Sequence, residues 1–103
     1  MVGAGAGVGA GGMTTKAESR HIERVKNMDC AVCGAAGPSD AHHILEGRTP
    51  GRKSPNWTVI PLCKDCHQGS FNGIHGQRRM WEVMKVSELD CLAWTIGQLY
   101  GGR

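Results

Sequence analysis

Two Cys-x-x-Cys pairs, Cys30-Ala31-Val32-Cys33 and Cys63-Lys64-Asp65-Cys66, constrain this chain more than any other feature. A CxxC turn presents two thiolates on one side and aims backbone amides at the sulfurs. Two such turns supply the four ligands of a closed, tetrahedral structural zinc site. The gap between the pairs is longer than the usual ribbon spacing, and a basic loop inserted between two strands accounts for the excess. Two disulfides or a redox CxxC are the alternatives. Neither finds support, because there is no secretory signal and no βαβ pattern. The chain also needs a staple. Ile, Leu, Val and Phe together number 18 of 103 residues, a thin hydrophobic core. The length limits it to one domain and excludes a multi-domain enzyme or a large barrel. No run of about 18 apolar residues exists, so a membrane span is excluded.

Residues 1–12, MVGAGAGVGAGG, carry no charged side chain and after Met1 are built of Gly, Ala and Val. They can bury little and fix no backbone, so residues 1–15 are expected to form a disordered leader. It lacks the basic and apolar regions of a signal peptide. Residues 16–103 are expected to be one domain. Ile22, Val25 and Met28 mark a short amphipathic helix over 16–28. Ala41–Leu45 and Trp57–Leu62 read as strands, the second at an edge because of Pro61. Gln77–Lys85 reads as helix, and Ser87-Glu88-Leu89-Asp90 has the spacing of a helix cap. From there Leu89, Leu92, Ala93, Ile96, Leu99 and Tyr100 fall on one face of a last helix, with Cys91 opposite as a semi-exposed thiol.

Four cysteines saturate a zinc ion, so the histidines need a different reason. His42 and His43 are adjacent, His67 follows the last zinc cysteine, and His75 stands in the loop beyond. Metal-assisted hydrolysis needs two or three ligands with open positions, plus a base that takes a proton from water. Histidines from a hairpin and from the following helix and loop meet that need. His21, among charges on the first helix, is expected to be an ordinary surface residue.

The runs AHHI, NWTVIPLC and CKDCHQ resemble the HNH (ββα-metal) nuclease motif embedded in a zinc ribbon. More narrowly, HIERVKNMDCAVCG, AHHILEG, PLCKDCHQG and NGIHG resemble the phage-type RecA-dependent recombination-enhancing nuclease family over about residues 20–100. The resemblance implies a small α+β fold, a zinc-ribbon-stabilised ββα-metal core with flanking N- and C-terminal helices. It makes His42 a ligand of a catalytic divalent metal (Mg²⁺, Mn²⁺ or Zn²⁺) and His43 the general base. His67 becomes a further ligand, and His75 a ligand or a phosphate contact. Division of labour is physically required, since a metal-bound imidazole nitrogen cannot accept a proton. Adjacent strand residues point to opposite faces, so both rings reach one site only if the strand bends or ends there. The motif's Asn, which orients the base, usually falls where this chain has Thr58. Asn56, two residues earlier, is the expected equivalent, with Asn72 as the fallback. The family acts with recombinase filaments on single-stranded or displaced DNA, in the cytoplasm of a bacterial or phage-infected cell, and the resemblance implies the same here.

The whole chain carries 12 Lys and Arg against 9 Asp and Glu, a net charge of +3. The excess lies in residues 41–85, with seven basic and three acidic residues. Arg48, Arg52, Lys53, Arg78 and Arg79 are the expected phosphate contacts, which give affinity without sequence readout. Trp57 and Trp81 are expected in the core. The expected function is metal-dependent DNA phosphodiester hydrolysis with little sequence preference. The alternative is a non-catalytic zinc-ribbon DNA-binding or adaptor module, which needs the cysteines and basic residues but not His42 and His43.

Overall fold

The structure is a computed structural model that describes residues 14–46 and 54–101. It is a small α+β arrangement: α1 (Lys16–Lys26), β1 (Asp40–His43), β2 (Val59–Leu62), α2 (Lys64–Gln68), α3 (Arg78–Val83) and α4 (Glu88–Tyr100). β1 and β2 pair antiparallel, with Asp40 opposite Leu62, Ala41 opposite Pro61, His42 opposite Ile60 and His43 opposite Val59. α1, α2 and α4 all pack on this hairpin. Residues 1–13 and 47–53 lie outside the described residues, so most of the expected leader and the basic loop are not placed.

Each element begins for a local reason. α1 starts at Thr15, whose hydroxyl accepts from the Glu18 N–H at 3.1 Å while Glu18 Oε1 accepts from the Thr15 N–H at 2.8 Å. This reciprocal cap satisfies two donors that a helix start leaves without partners. Thr15 therefore belongs to the folded part, one residue inside the expected leader boundary. Cys63 caps α2 and Ser87 caps α4 through their side chains. α3 ends at Val83, and two residues on, Lys85 adopts a left-handed φ of 60°.

The core holds Cys30, Ile44, Ile60, Leu62, Cys66, Ile74, Trp81 and Cys91, all buried. Half of β2's faces would normally meet solvent. Here all four residues are buried, because helices and the Cys30 turn cover both sides. Pro61 is tolerated inside the strand: it has no N–H to waste, and its carbonyl accepts from Ala31 N–H at 2.9 Å. Trp81 is core, as expected, with its Nε1–H donated to the Asn72 carbonyl at 2.9 Å.

Several expectations need correction. β1 ends at His43 rather than Leu45, because the N–H groups of Leu45 and Glu46 turn to the Glu88 carboxylate. Trp57 and Thr58 form a turn before β2, with Thr58 N–H donating to the Pro55 carbonyl. Trp57 is 44% exposed and packs against the buried His21, which is not a surface residue. α4 is rotated relative to its apolar stripe: Glu88, Cys91 and Thr95 are buried, while Leu89, Ile96 and Tyr100 are exposed. Cys91 packs in the core, and burial raises its thiol to about 11.

Candidate functional site

Cys30, Cys33, Cys63 and Cys66 come together with all four sulfurs within 4.8 Å of one another. No disulfide joins them, and Cys33 Sγ lies 3.6 Å from Cys63 Sγ. A zinc ion with Zn–S bonds of ordinary length sets its sulfurs about 3.8 Å apart, so the spacing fits. The turns do what the CxxC pattern requires. Val32 and Cys33 N–H groups approach Cys30 Sγ at 3.4 and 3.5 Å, and Cys66 N–H approaches Cys63 Sγ at 3.5 Å. Burial pushes the Cys30 thiol up, but the backbone N–H donors around it outweigh this and bring it down to about 7. Burial raises Cys33 and Cys66, whose thiols also face their neighbours' sulfurs. A metal cation is the partner that would let all four ionise together.

His42, His67 and His75 form a second cluster, with one ring nitrogen from each within 4.8 Å of the others. The three rings stand 4.6–5.2 Å apart, centroid to centroid. His42 comes from β1 and His67 from α2. His75 arrives by a turn in which Ile74 N–H donates to the Cys66 carbonyl and His75 N–H to the His67 carbonyl. That turn needs Gly73, where a Cβ would collide with the Gly69 backbone. His67 Nε2 and His75 Nε2 are 3.0 Å apart, close to the roughly 3.3 Å between two nitrogens on one tetrahedral zinc.

Two of these rings are also bonded to carboxylates. Glu88 Oε2 is 2.6 Å from His42 Nε2, and Asp40 Oδ2 is 3.0 Å from His67 Nδ1. A carboxylate can only accept, so each holds the ring proton on its own side and leaves the other nitrogen with a bare lone pair. That is how proteins fix the tautomer of metal-binding histidines. Glu88 is 2% exposed and saturated: it also accepts from the N–H groups of Leu45 and Glu46 and from Arg78 Nη2 at 3.2 Å. Burial pulls its carboxyl upward, yet the His42 ring and the two backbone donors hold it below the usual range. The His67 bond, against desolvation and aided by Lys64, keeps the Asp40 carboxyl low as well. Burial and the two neighbouring imidazoles lower His75, which favours the neutral, ligating form. Three imidazole nitrogens, with no fourth ligand among the described residues, fit a divalent ion with an open position.

His43 stands outside this cluster. It ends β1, is exposed and points away from the face of His42, as strand alternation demands. Its Nε2 is 2.9 Å from Asn56 Oδ1. Asn72, the fallback for that role, instead lies by Cys66 Sγ at 3.8 Å. Arg79 is exposed on α3, while Arg78 is half-exposed and tied to Glu88. Arg48, Arg52 and Lys53 lie outside the described residues.

Two carboxylates at this site escaped sequence reading. Asp40 had a signal, since it stands two residues before His42 and so on the same strand face. Glu88 had none: only the docking of α4 brings it to His42 from 46 positions away.

The fold and its two clusters define a small α+β domain with one four-cysteine and one three-histidine candidate metal centre. Residues 13–99 match the model of a family described as a protein of unknown function, DUF968, and the chain belongs to that family. No curated protein and no solved structure matches it. Among the described residues no helix is long and apolar enough to cross a membrane.

Proposed function

We propose that this protein is a metal-dependent endonuclease of the HNH type that hydrolyses DNA phosphodiester bonds with little sequence preference. The observation that carries the reading is the pairing of unlike sites. One cluster has four sulfurs and is closed, as a structural zinc site is. The other has three imidazoles, which would leave a bound ion an open position, and a histidine–asparagine pair lies at the end of the same strand on its other face.

In this reading His42, His67 and His75 would hold a divalent ion (Mg²⁺, Mn²⁺ or Zn²⁺), which would supply charge stabilisation at the phosphoryl group. Glu88 and Asp40 keep the His42 and His67 rings turned toward it. His43 is the general base: its Nε2–H donates to Asn56 Oδ1, and Nδ1 takes the proton of a water molecule. The water oxygen bonds to phosphorus as the P–O bond to the leaving oxygen breaks. A phosphodiester laid across the end of β1 would be within reach of both faces of the strand, which answers the opposite orientations of His42 and His43. Arg79 and the basic segment with Arg48, Arg52 and Lys53 would bind the phosphate backbone. Arg78 would contribute only its charge, since Glu88 already engages it.

The outward orientation of His43 also favours a second reading, a zinc-ribbon DNA-binding or adaptor module without catalysis. The two part in a cleavage assay on plasmid and single-stranded DNA with Mg²⁺, Mn²⁺ or Zn²⁺, each with and without a recombinase filament. The enzyme reading expects metal-dependent products. Salt-sensitive binding with no product in any arm would favour the module. Product only in the filament arms would support a recombinase as partner.

A further inference from the structure

We propose that the outer face of α4 is the interface of an antiparallel homodimer, in which α4 pairs with α4 of a second copy of this chain. The inference rests on no reading of the two metal centres or of the chemistry at them.

Among the described residues, six of the eight exposed large apolar side chains lie between positions 83 and 100. Scattered singly they would need no explanation, but on α4 they are in order. Leu89, Ala93, Ile96 and Tyr100 follow one another at intervals of four, three and four residues. That spacing keeps a narrow apolar seam turned toward a neighbouring helix. Within the chain this seam has no such neighbour: Leu89 is 49%, Ile96 37% and Tyr100 57% exposed, and Ala93 is exposed as well. α4 docks on the hairpin through a different side, with Glu88, Cys91 and Thr95. The helix has two contact faces, and its own chain covers one.

Gly97 is an observation of a different kind. It stands inside α4, one turn beyond Ala93, where glycine weakens a helix. Nothing in the chain requires it, since a Cβ there would meet no atom within 4 Å. A missing side chain beside an apolar seam lets a second backbone approach closely.

The charges at the two ends of the seam select the partner and its direction. Asp90 flanks the Leu89 end. Arg24 of α1 flanks the Tyr100 end, donating to the Tyr100 hydroxyl at 3.3 Å with its guanidinium 5.9 Å from the ring centroid. Both are exposed, and neither is in an ion pair among the described residues. A second α4 laid antiparallel sets Leu89 against Tyr100 and Ala93 against Ile96, twice over. It also brings Asp90 of each copy toward Arg24 of the other. Such a contact is self-complementary about a two-fold axis and closes at two copies. A parallel pair would set like charges together at both ends. A 13-residue helix offers less than the about 800 Å² per partner of a standard interface, so the dimer should depend on concentration.

Sedimentation velocity of the full chain carrying its zinc tests this over about 1–300 µM, the range in which so small an interface dissociates. Wild type should pass from monomer to dimer with no larger species. Gly97→Gln adds a side chain where the chain itself has room. Its dilute monomer should melt no lower than wild type, while its dimer weakens about 10-fold. Ile96→Glu, beside the two-fold axis, should weaken the dimer about 30-fold or more. Asp90→Arg should weaken it about 10-fold, and Arg24→Glu/Asp90→Arg should restore it to within about 3-fold of wild type. Circular dichroism and zinc content certify the fold of each variant. A wild type that stays monomeric throughout would overturn the proposal, as would Gly97→Gln and Ile96→Glu proteins that associate like wild type. A charge swap that restores nothing would overturn the antiparallel docking.

Discussion

Glu88 looks in the sequence like the first residue of a capped helix, and it is that. Its carboxylate, however, gathers the His42 ring, two backbone N–H groups and Arg78 at a point 2% exposed. A buried carboxylate survives only when its acceptor sites are filled, and these partners fill them. Glu88→Gln keeps the shape but puts an amide where an obligate acceptor stood. The affinity of the three-histidine site for Mn²⁺ or Zn²⁺ should fall about 10- to 100-fold. Competition against a chromophoric chelator would measure it, with the four-cysteine zinc as internal reference. Asp40→Asn should do the same through His67. Equal affinity in wild type and both variants would mean that the carboxylates do not orient the ligands. The candidate ligand residues were legible because histidines and cysteines are rare and their spacing is informative. The groups that orient them were not, because carboxylates are common and long-range docking leaves no local pattern.

At the scale of elements, sequence pattern located most of the helices and both strands but missed which way α4 faces. Counting apolar residues placed Leu89, Ile96 and Tyr100 inward. The helix instead turns Glu88, Cys91 and Thr95 to the hairpin. Periodicity reads hydrophobicity, and here a polar contact (Glu88 on the β1 end) sets the rotation. β1 is shorter than its apolar run for the same reason, since Glu88 takes the N–H groups that would have extended the ladder. The α1 cap went unread although Thr15-x-x-Glu18 has the capping-box form. Thr15→Ala should cost about 1 kcal/mol in urea-induced unfolding. A change close to zero would mean that α1 is held by packing alone. Trp81→Ala, which empties a site 2% exposed and frees the Asn72 carbonyl, should cost about 3–5 kcal/mol in the same assay. A loss below 1 kcal/mol would show that the core closes over the gap.

For the molecule as a whole, the hydrophobic core is small and two of its members, Cys30 and Cys66, are also candidate zinc ligands. Folding and metal binding should therefore be one event. Stripping zinc with a strong chelator, or Cys66→Ser, should abolish the cooperative thermal transition in circular dichroism. A chain that melts at the same temperature without zinc would refute a structural role for the four cysteines. Removing an ion bound at the three histidines should leave that transition nearly in place, because Glu88 and Asp40 hold the His42 and His67 rings without it. The function proposed here requires both centres in one chain together with the His43–Asn56 pair. The most direct single test is the single-turnover rate of DNA cleavage by wild type and His43→Ala at saturating divalent metal, with DNA affinity measured on both. A general base contributes about 10²–10⁴-fold, so the variant should bind DNA normally and cut slower by that factor. Equal rates, or binding without cutting by wild type as well, would contradict the enzyme.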